Sequence, residues 1–357
     1  MRINRLWLTD FRNYASAELT PSPSGLTVVV GANGEGKTNL LEAAGYLATL
    51  ASFRAVPAEA LVRTGCHQAV VRAEAERAGR ALLLEAEITA SGRPRVLVNR
   101  QPLRRTRDLL GSLRVSVFSP DDLALVKGGP GERRRLLDDT LVALHPRHDG
   151  LRSEVERVLR QRNALLKQAR GGSGGDVAPT LDVWDAKLAA AGEALTAARE
   201  DLVAAMEPEV AKAYDQVAHT ASAVALAYHR SWAGRLADAL AEARPDDLRR
   251  GLTTVGPHRD DVLLSIAAMP ARSHASQGEQ RSLALALRLG AHAVVTEATG
   301  TPPVLLLDDV FSELDAARRA ALVAHLPAGQ AILTTAGDVP PETRPQLTVR
   351  VHDGRIL

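Results

Sequence analysis

Residues 31–38 read Gly31-Ala32-Asn33-Gly34-Glu35-Gly36-Lys37-Thr38, between an apolar run at 26–30 and a helix-like run opening at Lys37. The glycines let successive backbone N–H groups turn inward around a phosphate. Lys37 then reaches the β/γ oxygens, and the Thr38 hydroxyl holds Mg²⁺. The bland alternative is an ordinary glycine turn capping a helix. A chance match to the whole pattern is expected in roughly 1% of chains of this length. The segment therefore points to nucleotide binding.

A partner for that loop stands near the other end of the chain. Val304-Leu305-Leu306-Leu307-Asp308-Asp309 is an apolar run after Pro303 that ends in two acids and looks like a Walker B strand. Such a strand belongs inside a parallel sheet, with ligands outside its carboxyl end. Asp308 would orient Mg²⁺ and its waters, and Asp309 would polarise the attacking water. Two acids after a buried strand also suit a helix N-cap, which is the structural alternative.

Ala275-Ser276-Gln277-Gly278-Glu279-Gln280-Arg281 precedes a Leu/Ala-rich helix pattern and resembles the signature motif of ABC-type ATPases. That resemblance implies that Ser276, Gly278 and the free N–H groups of the helix start face a γ-phosphate held by a second copy. A helix N-terminus suits an anion. Taken alone, Ser276 with Glu279 is also a capping box. Ser312-Glu313-Leu314-Asp315 follows where that family has its D-loop.

The opening run, residues 1–14, ends in Phe11-Arg12-Asn13-Tyr14 and resembles the start of the RecF family, DNA replication and repair ATPases related to SMC and Rad50 heads. Further stretches of that family stand in order: Ser52-Phe53-Arg54, Val117-Phe118-Ser119-Pro120-Asp121-Asp122, Gly129-Pro130-Gly131-Glu132-Arg133-Arg134 and Gly256-Pro257-His258-Arg259-Asp260-Asp261. The resemblance spans nearly the whole chain. It implies an α/β ABC-ATPase head, like those of Rad50 and SMC, with a P-loop domain and a helical insertion. It also implies ATP and Mg²⁺ as cofactors, an ATP-dependent homodimer, and binding to duplex, gapped or junction DNA. RecO and RecR would be partners in loading RecA and supporting the SOS response. The place of action would be the cytoplasm, on the nucleoid. The rival readings are a Rad50-type head working with a nuclease and a transporter-type subunit.

Two departures bear on turnover. Asp309 stands where transporter ATPases usually carry Glu, so water would be held less tightly and ATP would serve mainly as a switch for a weak, DNA-dependent ATPase. No switch histidine follows the next strand; Thr334 or Thr335 stands there instead, with His258 and Arg259 as further candidates for γ-phosphate contact. The His258, Asp260, Asp261 constellation also raises a metal site, but no further ligands lie at suitable spacing.

The chain has 357 residues, 45% of them apolar, and no long uncharged apolar run or signal-peptide pattern, which disfavours a membrane location. Its only cysteine, Cys66, leaves no zinc cluster and reads as a small buried hydrophobe. Because the ATPase motifs sit at both ends, the middle is inserted into the head. Residues 1–130 would form the first part of the head with an antiparallel sheet (short runs at 70–71, 82–86 and 95–98), 131–250 a helical arm, and 251–357 the rest of the head. Leu151, Val155, Val158 and Leu165 mark one helix face and residues 181–206 a second helix. With the break Gly171-Gly172-Ser173-Gly174-Gly175 between them, they suggest a short antiparallel coiled coil or a flexible linker.

Net charge is only +2, so DNA contact would rest on local patches. Arg93, Arg95, Arg100, Arg104, Arg105 and Arg107 form one cluster, and Arg133, Arg134 and Arg135 a second. A solvated charged face is the alternative for either. Three Trp, four Tyr and four Phe leave little for base stacking, so phosphate contact is favoured over sequence reading.

Overall fold

The computed structural model describes residues 1–170, 177–218, 222–337 and 339–357. It divides into two compact units: Met1–Val126 with Glu209–Ser222 and Ala275–Leu357, and Lys127–Pro208 with Ala223–His274.

The first unit contains two six-stranded sheets. One is antiparallel, in the order Tyr14–Leu19, Arg2–Phe11, Gln68–Arg77, Arg80–Thr89, Arg95–Val98 and Gln101–Pro102. Its strands alternate, and Ala69, Val71, Ala73 and Ala75 turn inward while their neighbours are more exposed. The other sheet runs Arg355–Ile356, Leu347–His352, Gly25–Val30, Gln330–Thr335, Val304–Asp308 and Val115–Phe118. Its pairings are parallel except for the terminal hairpin. Val304–Asp308 and Gln330–Thr335 are buried along their whole length, which is why they read as unbroken apolar runs. The helix Lys37–Thr49 is buried on nearly every side and shares one core with both sheets, through Leu40, Leu41 and Leu47.

The second unit has the helices Pro130–Leu144, His148–Arg170 and Leu236–Arg250, most of the long helix Ala178–Ala218, and a three-stranded antiparallel sheet. That sheet pairs Asp261–Ile266 with Val224–His229. This pairing places residues 251–274 in the second unit, whereas the sequence reading had put them in the head.

The long helix outruns the expected 181–206 because it continues through Pro208. An interior proline costs about 3 kcal/mol. Val210, Tyr214 and Val217, all buried, offset that on the far side. The expected face of helix His148–Arg170 is present at Val155 and Val158, but Arg162 and Leu166 complete it. The glycine tip at 171–175 lies outside the described residues. Among the described residues, no helix is long and apolar enough to cross a membrane.

Candidate functional site

The parallel sheet delivers two segments side by side. Strand Gly25–Val30 runs into the phosphate loop, and Gln330–Thr335 separates it from Val304–Asp308. Thr38 Oγ1 donates to Asp308 Oδ1 at 2.7 Å, and Thr334 Oγ1 donates to the same oxygen at 2.8 Å. Burial raises the Asp308 carboxyl above its ordinary range, while the two hydroxyl bonds oppose that shift. A buried carboxylate beside a hydroxyl is a set of hard oxygen donors, the chemistry Mg²⁺ prefers. Thr38 and Asp308 thus offer donor chemistry that suits the ion.

Asp309 is held differently. It adopts the left-handed conformation, φ 45°, and its N–H donates to Thr334 Oγ1 at 3.0 Å. Aspartate tolerates that region better than most side chains. Thr334, one of the two hydroxyls standing where a switch histidine was sought, therefore anchors both acids. Thr335 accepts from Gly337 N. His258 and Arg259 belong to the second unit, where both bond to the Thr253 carbonyl.

Lys37 is 6% exposed and its Nζ donates to Ala32 O at 2.7 Å. Burial lowers its pKa, and Asp309, Asp308 and Glu35 counter that. The loop is propped from outside by the opening motif. Asn13 Nδ2 donates to Glu35 O at 2.9 Å, and Tyr14 OH donates to Gly36 O at 3.0 Å. Gly36 has φ 112°, and a Cβ there would lie 2.7 Å from the Asn13 amide. Arg12 forks onto the buried Glu42 with two 2.7 Å bonds, fixing the helix behind the loop. The C-terminal hairpin closes the other flank: Gly354 N donates to Glu35 O at 3.2 Å, and Asp353 N donates to the Glu35 carboxylate. Residues 12–14 were legible only as a family signature, and the hairpin contact had no local signal.

Ser276 begins helix Gln277–Thr299 as the N-cap of a complete capping box with Glu279, so the structural alternative for this pair is realised. The box leaves the helix start exposed. A feature missed in the sequence lies beside it. Arg318 crosses over Gly278, where a Cβ would come within 2.8 Å of Nη2, and donates to Ser282 Oγ at 3.1 Å while pairing with Asp315. Arg318 thereby ties the D-loop stretch to the signature helix. Asp122 of the Val117–Asp122 stretch is joined to the same helix by Arg288 at 2.6 Å.

The two arginine clusters differ. Arg104, Arg105 and Arg107 are exposed, as are Arg93, Arg95 and Arg100. Arg133 is buried and forks onto Asp261 at 2.7 and 3.0 Å, so it cannot meet DNA as the sequence reading supposed. Arg134 is half-buried, and Arg135 is exposed. Asp260 is fully buried and accepts from Tyr228 OH and Ser231 N at 2.6 and 2.8 Å. Both carboxylates of the 256–261 motif are thus engaged within the second unit.

The RecF/RecN/SMC N terminal domain family matches residues 2–336. In sequence, the chain is 47% identical to the DNA replication and repair protein RecF of Streptomyces avermitilis, with 95% of each covered. It is 45% identical to that of Beutenbergia cavernae, with 96% of each covered. In structure, it resembles the recombination mediator protein RecF-ATP of the RecFOR pathway, with TM-score 0.90 and 27% identity over 99% of this chain and 96% of that one. An Smc head bound to the C-winged helix domain of ScpA, at TM-score 0.58 and 17% identity over 100% of this chain and 97% of that one, shares the fold. Fold and site together define an ABC-type ATPase head of the RecF/RecN/SMC class. Within that class, the chain belongs to the RecF family of DNA replication and repair proteins.

Proposed function

We propose that this protein binds ATP with Mg²⁺ in the loop 31–38 and closes as a homodimer on DNA. Each nucleotide would be sandwiched between Lys37 and Thr38 of one copy and the Ser276–Gly278 helix start of the other. The observation that carries the reading is the bond from Thr38 to Asp308 at the mouth of the loop. It unites two motifs separated by most of the chain. Mg²⁺ there supplies charge to offset the phosphate oxygens. Asp309 orients the attacking water and takes its proton, and its short side chain keeps turnover slow, so ATP acts mainly as a switch. The exposed arginines 104, 105 and 107 contact DNA phosphates, with Arg134 and Arg135 as the remaining members of the second cluster. In keeping with the relatives' pathway, the DNA would be gapped or contain single strands, RecO and RecR would be partners in loading RecA, and the work would support the SOS response on the cytoplasmic nucleoid.

Ser276→Arg tests the sandwich. It puts a bulky cation where the second copy's nucleotide docks and leaves the protein's own loop untouched. ATP binding persists and the ATP-dependent dimer is lost in sedimentation. A normal dimer would reduce the motif to its capping box.

A further inference from the structure

The parallel sheet places one buried hydroxyl between the two strands that carry the nucleotide motifs. Thr334, on the middle strand Gln330–Thr335, pairs with Asp308 on one side and on the other with Val29, two residues before the phosphate loop. Successive residues of a strand face opposite sides of the sheet, so only one of Thr334 and Thr335 can meet the acids. It is Thr334.

This residue is fully buried, and its hydroxyl must find partners inside the protein. It has one proton to give and lone pairs with which to accept. The proton goes to Asp308 Oδ1 at 2.8 Å, and a lone pair takes the Asp309 N–H at 3.0 Å. A single oxygen atom thus fixes the side chain of one acid and the backbone of the next. Asp308 has a second anchor in the Thr38 hydroxyl at 2.7 Å. Asp309 is held at its other end by Ser312, whose N–H and Oγ donate to the Asp309 carbonyl at 3.1 and 2.8 Å. Although Asp309 stands at the N-cap of Val310–Glu313, among the described residues its side chain caps no N–H of that turn. The direction of its carboxylate is therefore set by its backbone, and Thr334 is the contact that ties that backbone to Asp308.

We propose that Thr334 is a positioning residue for hydrolysis, holding the acid that orients the water in register with the acid that holds the metal. It takes the place of the missing switch histidine by fixing the acids rather than by touching the γ-phosphate. The proposal rests on the role given above to Asp309.

The test is phosphate release by the full chain with ATP and Mg²⁺. Thr334→Val keeps the shape of the side chain but loses both bonds, and a displacement of about 1 Å at a reacting group costs on the order of a hundredfold. The turnover number of Thr334→Val therefore falls about ten- to a hundredfold. KM and ATP affinity change by less than about threefold, because Thr38 and Lys37 keep their contacts. Thr334→Ser restores the hydroxyl and brings turnover back to within about threefold of the wild type. In an Asp309→Asn background, Thr334→Val lowers the residual rate far less than in the wild type, since it acts through Asp309. A merely structural role would weaken ATP binding along with turnover and would multiply with Asp309→Asn. Should Thr334→Val fail to fold, Thr334→Cys, nearly the same size with a weak donor, is expected to lose turnover in the same way. Wild-type turnover in the folded Val or Cys variant overturns the proposal, and so does a loss that Ser fails to recover or one that multiplies in full with Asp309→Asn. Wild-type turnover in Asp309→Asn itself would instead overturn the role of Asp309, and the proposal with it.

Discussion

The phosphate-loop cluster of the first unit and the core of the second use charge in opposite ways. At the loop, Lys37, Asp308 and Asp309 are brought together without an arginine bonded to them; hydroxyls and a carbonyl hold them. In the second, charges are consumed internally. Arg162, fully buried, pairs with Asp185 and Asp247 at 2.6 Å and also donates to Thr253, Arg199 pairs with Asp138, and Arg133 with Asp261. Neutral holders leave the net charge of a site free to answer a ligand, whereas an ion pair cancels it. The same residue types thus mark a binding site in one unit and a framework in the other.

The largest effect that would sharpen this contrast is on the framework. Arg162→Ala strands two buried carboxylates, and removing one partner of such a cluster costs about 3–5 kcal/mol. Urea unfolding of the variant should show a loss of that order. A loss under 1 kcal/mol would mean that Asp185 and Asp247 are held well enough by Arg244, Thr254 and water. Asp309→Asn should do the reverse, leaving stability unchanged while ATP hydrolysis falls by about two to four decades. Nucleotide still binds and the dimer accumulates. Phosphate release at the wild-type rate would move the water-activating role elsewhere.

Next in size is Lys37→Met. It removes a charge-assisted contact of about 1.5–3 kcal/mol, one to two decades of ATP affinity. The fold is expected to survive, since among the described residues the ammonium's bond is to a loop carbonyl. Equal ATP affinity in a folded variant would refute the phosphate-loop assignment.

The contrast also explains what the sequence disclosed. Loop 31–38, the Asp308–Asp309 pair and the Ser276 helix start were legible because ligand chemistry dictates residue types at short spacing. The strands were legible because burial on both faces yields unbroken apolar runs. Arg162 was not, because a charged residue on an apolar helix face reads as a defect until its partners, 23 and 85 residues away, are seen. The 256–261 motif shows its role only in the fold: Asp260 and Asp261 are taken up by partners within the second unit, and His258 Nε2 and Arg259 meet the Thr253 carbonyl. The second helix was expected only over 181–206, because the packing that carries it through Pro208 is not visible in any short window.

A smaller and shared effect comes from two buried histidines, His292 in the first unit and His258 in the second. Burial depresses each to a pKa of about 4, from an ordinary 6.5. The unfolded chain therefore binds more protons than the folded one between those values. The sign follows: stability is full above pH 6.5 and declines as pH falls, by up to about 1.4 kcal/mol per pH unit for each histidine, until it levels below pH 4. Replacing either with Gln should flatten the pH dependence of urea unfolding by one proton's share. An unaltered slope in one variant would place that imidazole in water.

The smallest effect per residue tests the claim that the first unit leaves charge open at its surface. Arg104, Arg105 and Arg107 are exposed, and among the described residues none has an ion-pair partner. Exposed charges contribute little to stability, so replacing all three with Ala should leave unfolding nearly unchanged. If they contact phosphates, the triple variant weakens binding about equally for unrelated duplexes, because phosphates carry no base information. The plot of log affinity against log salt flattens by up to about 2.7, near 0.9 for each lost contact. ATP binding stays as it was, since the patch is not among the residues placed around the nucleotide. An unaltered salt slope with DNA affinity intact would make the patch a solvated face. DNA contact would then fall to Arg134 and Arg135 of the second unit, and the division of labour between the units would be reversed for DNA.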